Sequence, residues 1–235
     1  SSSFGLDCIG CGSGRACRMV SIPLWAATIC FACYSMETLS CFNGVPPQLC
    51  NPVPTRYFGR LVFLTVQTNI LNTMYFACCI ITAVLDIPHL EKVVVEAFPL
   101  SFGLGVFLTI GYYALDHFNP IAVQTRKKWS EEGYPHIVWR CHTDHIFALP
   151  SSILAALVFT TPQGATASNW KAITLSYGLL YTVLLHINAL LTGAWPYAII
   201  EDIMKKSGSL GRTMFLAVII SLILMFATLG HWIAG

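Results

Sequence analysis

Residues 214–234 read MFLAVIISLILMFATLGHWIA, an apolar run that contains no Asp, Glu, Lys or Arg. A helix needs about 20 mostly apolar residues to cross the hydrocarbon core of a bilayer. This run therefore predicts a membrane span. Five further runs qualify or nearly qualify, at about residues 19–41, 61–85, 93–115, 138–160 and 172–191. The pattern predicts an all-α, polytopic transmembrane bundle with about six spans.

The composition agrees with a membrane protein. Hydrophobic residues make up 55% of the chain and charged residues only 10%, whereas soluble domains carry about 25% charged residues. The net charge of +2 is small and no basic tract is present, so we expect no nucleic-acid partner. Residues 1–18 are polar and rich in Cys, Gly and Ser. We therefore divide the chain into an N-terminal segment, 1–18, and a transmembrane bundle, 19–235.

Polar side chains are predicted to share one depth in the bundle. Thr65 lies five residues after Arg60, and His145 lies five residues after Arg140. At 1.5 Å rise per residue, each would be roughly 7–8 Å past its basic anchor. Ionisable groups inside spans are costly and are functional candidates by default. The predicted layer beneath one membrane face contains Glu37, Thr65, His145 and His186.

The second predicted span carries a polar stripe. Thr65, Thr68, Asn69 and Asn72 follow the i, i+3, i+4, i+7 spacing that places side chains on one helix face. Lipid penalises such a face, so we expect it to point into the bundle. Interhelical hydrogen bonding is as good an interpretation of the stripe as a functional site. For Thr68 and Asn72 it is the favoured one.

The fourth predicted span begins with a charged and histidine-rich turn. His142 and His145 are three residues apart and share a helix face, while Arg140 and Asp144 are four apart and can pair. Pro150 follows and predicts a kink. The deeper position of His145 favours a functional role.

Several short stretches, taken in order, point to a known family. The motifs are Phe63-Leu64-Thr65, Ala97-Phe98-Pro99-Leu100, Tyr113-Ala114-Leu115-Asp116, His142-x-x-His145 followed by Leu149-Pro150, and Thr192-Gly193-x-Trp195-x-Tyr197. In this order the chain resembles the androgen-induced protein and androgen-dependent TFPI-regulating protein family. The resemblance implies a multi-pass hydrolase of fatty-acid esters of hydroxy fatty acids, located in an endomembrane. It also implies that Thr65 is the catalytic threonine and His145 the catalytic histidine.

A threonine hydroxyl needs a base to become a nucleophile, and a histidine suits that role. We therefore expect Thr65 to attack a lipid ester and His145 to accept its proton. Asn69 is the predicted oxyanion donor, and His142 is expected to orient His145 or to line the water route. Glu37 and His186 are predicted to complete the pocket. The expected ligands are membrane lipids, as substrate or bound ligand, and we expect no cofactor and no metal.

Two other functions remain open at this point. The basic, serine-rich residues 1–18 are compatible with a non-catalytic, lipid-binding accessory subunit of a protein complex in an organellar inner membrane. The second alternative is a metal or haem protein that uses His142, His145 and His186 as ligands. His-x-x-His on one helix is not a specific metal signature, so this alternative is the weaker.

Overall fold

The computed structural model describes residues 22–42, 57–159 and 167–234, and all regular structure within these ranges is helical. The predicted N-terminal segment, 1–18, lies outside the described residues. A 3-10 turn spans Gly59–Val62, and a π-helical turn spans Tyr112–His117. The helices are α1 Leu24–Phe42, α2 Leu64–Leu85, α3 Pro88–Gly111, α4 Pro120–Glu131, α5 Ile137–Ile146, α6 Ala148–Val158, α7 Trp170–Thr192 and α8 Ala198–Ala234. The predicted all-α class is confirmed.

Four of the described helical segments are long and apolar enough to cross a membrane. They are Leu64–Leu85, Pro88–His117, Trp170–Thr192 and Lys205–Ile233. The protein is therefore a multi-pass membrane protein. The helices α5 and α6 have only 10 and 11 residues, and α1 carries the buried Glu37. A total of six spans stays a prediction.

Helix α3 is the central element, because it packs against α2, α6, α7 and α8. A Cβ added at Gly103 would lie 2.8 Å from the backbone nitrogen of Ala227 on α8. Only glycine allows the two backbones to approach this closely. Gly105 similarly faces the hydroxyls of Tyr34 and Ser152. Both glycines therefore permit close helix packing.

The second predicted span starts later than the apolar run suggested. Arg60 belongs to the separate 3-10 turn, Phe63 is extended, and α2 begins at Leu64. The carbonyls of Leu61 and Val62 accept hydrogen bonds from the side chains of Gln67 and Tyr181. Thr65 is consequently the second residue of α2 and lies in its first turn. The predicted depth had assumed a continuous helix over the five residues from Arg60 to Thr65.

The charged segment 116–137, between the third and fourth apolar runs, contains helix α4. The Asn119 side chain caps this helix by accepting from the N–H groups of Ile121 and Ala122, at 2.9 and 3.4 Å. Pro120 occupies the first helical position, where its missing N–H costs nothing. The Asn119-Pro120 pair is therefore a helix-start signal in the sequence.

The fourth predicted span is broken in two. Helix α5 ends at Ile146 and α6 begins at Ala148, so Phe147 separates them. Pro150 lies in the first turn of α6, and it has no N–H to donate to the carbonyl of Ile146. The predicted effect of Pro150 is thus confirmed, as a helix break two to three residues before the proline.

Candidate active site

Thr65 and His145 meet although 80 residues separate them in the chain. The Thr65 Oγ1 atom lies 3.0 Å from Nε2 of His145. Thr65 is presented by the first turn of α2, and His145 by the last turn of α5. The structure therefore brings together the two residues that the sequence paired.

The second ring nitrogen of His145 identifies the tautomer. Nδ1 lies 2.5 Å from the backbone carbonyl oxygen of Cys141. A carbonyl only accepts hydrogen bonds, so Nδ1 carries the proton and Nε2 has a free lone pair. The Thr65 hydroxyl then donates to Nε2. This is the arrangement in which an imidazole can remove a hydroxyl proton.

Tyr112 holds the imidazole plane from one side. Its ring stacks on that of His145 with centroids 3.9 Å apart and an interplanar angle of 13°. Tyr112 begins the π-helical turn at the end of α3. Such turns are rare and occur frequently at functional sites.

Thr65 and His145 line a cavity of about 450 Å³. Four charged residues line it: Arg60, Asp116, Arg126 and Asp144. Most of the other lining residues are apolar, and those from α3, α7 and α8 include Phe107, Leu108, Leu185, Ile200, Phe215, Leu216 and Ile219. The hydroxyl–imidazole pair thus opens onto a space that suits an apolar chain attached to a polar group.

Two charged residues of the cavity wall pair with each other. Asp144, which we expected to pair with Arg140, has a carboxylate oxygen 3.4 Å from a guanidinium nitrogen of Arg60. The same guanidinium donates to the carbonyl of Cys41. Both charged side chains are at most 10% exposed. From the sequence, Arg60 is predicted only to be a membrane anchor. Its position five residues before Thr65 was the one sequence feature that could have indicated a place in the site.

Asn69, the predicted oxyanion donor, is fully buried. Its amide nitrogen donates to the carbonyl of Asp144 at 3.1 Å and lies 3.8 Å from the sulfur of Cys41. It is not among the residues that line the cavity. One helical turn further, Asn72 bonds to Ser101 of α3 at 2.8 Å, so the predicted interhelical role of Asn72 is confirmed.

The other three predicted pocket residues are not among those that line the cavity. His142 bonds through Nδ1 to the Tyr113 hydroxyl at 2.9 Å. His186 bonds to the carbonyl of Thr182 in its own helix, and its ring meets the edge of Trp195. Glu37 accepts the N–H of Phe147 at 2.8 Å. Their proposed parts in the pocket stay predictions.

The geometry lends the metal-protein alternative no support. His145 uses both ring nitrogens in hydrogen bonds within the protein. His186 faces Trp195, and in the part of the chain that the structure describes, no three His, Cys, Asp or Glu residues are grouped to hold a metal ion.

Several site residues carried signals that the sequence reasoning did not use. The stacking of Tyr112 on His145 could not be predicted, because the two residues are distant in sequence. The adjacent tyrosines at the end of the third predicted span did mark this region as aromatic. Tyr197, noted only within a motif, accepts the N–H of Leu64 at 2.8 Å and so fixes the start of α2. Thr109 is a polar residue in an apolar run, and its hydroxyl donates to the backbone carbonyl of His145.

Comparison with known proteins agrees with the resemblance drawn from the motifs. Residues 18–235 match the family described as FAR-17a/AIG1-like protein. Searches of curated proteins and of solved structures found no significant match. The family match covers the whole predicted bundle, 19–235, including Thr65 and His145, and the chain therefore belongs to the FAR-17a/AIG1-like family.

Proposed function

We propose that this protein is an integral membrane lipid-ester hydrolase in which Thr65 is the nucleophile and His145 the general base. The observation that carries the proposal is the 3.0 Å contact between Thr65 Oγ1 and His145 Nε2, with Nδ1 held by the Cys141 carbonyl. The carbonyl takes the place that a carboxylate has in a Ser-His-Asp triad, where the third group orients the imidazole.

The first half-reaction transfers the acyl group to the protein. His145 Nε2 accepts the Thr65 proton while Oγ1 attacks the ester carbonyl carbon. The ester C–O bond then breaks, and the imidazolium returns the proton to the leaving alkoxide. In the second half, His145 takes a proton from water and the hydroxide attacks the acyl-threonine ester. The bond between the acyl carbon and Thr65 Oγ1 then breaks, the imidazolium returns its proton to Oγ1, and the acid is released.

The first turn of α2 supplies donors for the oxyanion. The N–H of Leu64 is used by Tyr197, and that of Gln67 bonds to Phe63. An α-helix leaves its first N–H groups without an intrahelical acceptor, which leaves the amides of Thr65 and Val66 for the developing charge. Backbone amides at a helix N-terminus suit an oxyanion. Since Asn69 donates to the carbonyl of Asp144, we assign the oxyanion role to these amides.

The shape of the site supports a lipid ester as substrate. An acyl chain fits the apolar wall from α3, α7 and α8, while the ester reaches the hydroxyl at the end of α2. The position of Thr65 in the first turn of a helix of spanning length supports a reaction near one membrane face, where water is close. We propose a fatty-acid ester of a hydroxy fatty acid, as the family resemblance implies, with an endomembrane location.

The test is turnover of such an ester by purified protein in detergent, comparing wild type with Thr65→Ala and His145→Ala. Removing the members of a catalytic unit typically lowers kcat by 10³-fold or more, so we expect both variants to lose measurable activity. Thr174→Ala and His231→Ala are matched controls, because these residues contact the backbone and ring of Trp170, away from the cavity. They should keep wild-type kcat.

Two results would contradict the proposal. One is turnover that persists in both site variants at the rate of their controls. The other is wild-type protein that binds the ester without cleaving it, which favours the lipid-holding accessory subunit. Thermal unfolding and size-exclusion profiles of all five proteins separate loss of activity from loss of folding.

A further inference from the structure

The backbone immediately after His145 is interrupted, and its polar groups need partners from other helices. His145 is the second-to-last residue of α5, and α6 begins three residues later at Ala148. A helix break leaves N–H and carbonyl groups without intrahelical partners. In an apolar bundle each unsatisfied group is costly, so the groups that satisfy this break determine where α5 ends.

A single hydroxyl of α3 bridges the two sides of the break. Thr109 Oγ1 donates to the carbonyl of His145 at 2.5 Å and accepts the N–H of Leu149 at 3.2 Å. The Thr109 side chain is buried. It is not part of the cavity wall. Thr109 therefore touches the backbone that carries the base without reaching the space where an ester would bind.

Helix α1 holds the same break from the other side. Glu37 Oε1 accepts the N–H of Phe147 at 2.8 Å, and the Tyr34 hydroxyl donates to the carbonyl of Ala148 at 3.1 Å. Glu37 is 1% exposed, and its second oxygen has no hydrogen-bond partner among the described residues. Burying a carboxyl group is costly unless it is hydrogen-bonded, and the N–H of Phe147 supplies such a bond.

We propose that Thr109 and Glu37 are positioning residues, which aim His145 at Thr65 by holding the α5–α6 break. The inference rests on the proposed function. The chain of contacts is continuous: Thr109 bonds the His145 backbone, the Cys141 carbonyl orients the imidazole, and Nε2 meets Thr65. Because α5 and α6 are separate helices, the base can shift relative to Thr65 when the break loses these partners.

Thr109→Val is the sharpest test, since valine has nearly the shape of threonine but can neither donate nor accept. A misplacement of about 1 Å can lower a rate by roughly 10²-fold, so we expect kcat to fall by about 10- to 100-fold. KM should stay within about twofold, because the cavity wall is intact. Thr109→Ser should restore kcat, since the hydroxyl returns. Thr174→Val, the same change on α7 at a buried residue that bonds only its own helix, should leave kcat unchanged.

Glu37→Gln and Glu37→Leu give an independent reading if Thr109→Val does not fold. Glutamine keeps an acceptor for the Phe147 N–H and should retain kcat within about threefold, whereas leucine removes the acceptor and should lower kcat at least about tenfold. Equal kcat for the two folded Glu37 variants would overturn the proposal, as would wild-type kcat in Thr109→Val. If instead Thr65→Ala keeps full turnover, the hydrolase assignment itself has failed, which is a distinguishable result.

Discussion

Two buried glutamates, on different helices of the bundle, differ in how many of their carboxyl oxygens accept hydrogen bonds. Glu96 of α3 uses both oxygens, accepting from the backbone and side chains of Ser168 and Asn169 at 2.8–3.4 Å. It thereby holds the two residues that precede α7. Glu37 of α1 bonds through one oxygen to the helix break that carries His145, and its other oxygen has no partner among the described residues.

The same contrast holds for the surroundings of the two residues. Around Glu37, the Nε of Arg60, the Oδ1 of Asn69 and the Oδ1 of Asp144 are buried without hydrogen-bond partners in the described part of the chain. Native proteins satisfy most buried polar groups, and exceptions call for an explanation such as a catalytic role. We interpret the Glu96 region as structural and the Glu37 region as functional. The following predictions test that division.

The largest expected effect on stability comes from Arg60→Met. The change leaves Asp144 as a buried charge without its ion-pair partner, and breaking a buried pair in this way typically costs about 3–5 kcal/mol. The free energy of unfolding, measured by denaturant titration in mixed micelles, should fall accordingly. The double variant Arg60→Met/Asp144→Asn should recover part of the loss. A double variant no more stable than Arg60→Met would contradict the pairing.

Glu96→Leu should lower stability without changing the rate of the reaction. It removes the acceptor for the N–H groups of Ser168 and Asn169, and buried donors left unsatisfied cost about 1–3 kcal/mol. The thermal midpoint should drop while kcat of the folded protein stays at the wild-type value. A kcat reduced as strongly as in Glu37→Leu would remove the distinction between the two glutamates.

An effect of similar size is expected where α3 and α8 cross. Gly103→Ala places a methyl group against the backbone of Ala227, which cannot yield, and overpacking of this kind costs about 1–3 kcal/mol. Gly178→Ala is the matched control, because its new methyl would meet only the flexible side chain of Ile220 at 3.1–3.2 Å. The first variant should unfold at a lower temperature than the second. Equal midpoints would show that the close approach at Gly103 is not limiting.

The sequence predicts much of the architecture and the two central site residues. Apolar runs of spanning length mark the long helices, and the depth of Thr65 and His145, together with the family motifs, pairs them. The helix boundaries near the site were less predictable. The start of α2 at Leu64 depends on two tyrosines more than 100 residues away in the chain. Tyr181 donates to the carbonyl of Val62, and Tyr197 accepts the N–H of Leu64.

The supporting contacts of the site were not predictable from local pattern. Asp144 has a helical neighbour of opposite charge in Arg140, yet it pairs with Arg60 on another segment, because tertiary packing brings that guanidinium within 3.4 Å. Thr109 and Glu37 bond backbone groups that become available only because the helix breaks at Phe147. Periodicity reports which face of a helix is polar. It does not report which backbone group on another helix will need that polar atom.

Identification of the nucleophilic atom tests the central claim most directly. A fluorophosphonate probe forms an O–P bond with an activated hydroxyl and releases fluoride, and tandem mass spectrometry locates the adduct on a peptide. We predict an adduct on Thr65 in the wild-type protein, retained in Thr174→Val and abolished in His145→Ala. An adduct on a different residue, or one on Thr65 that forms as fast without His145, would contradict the account.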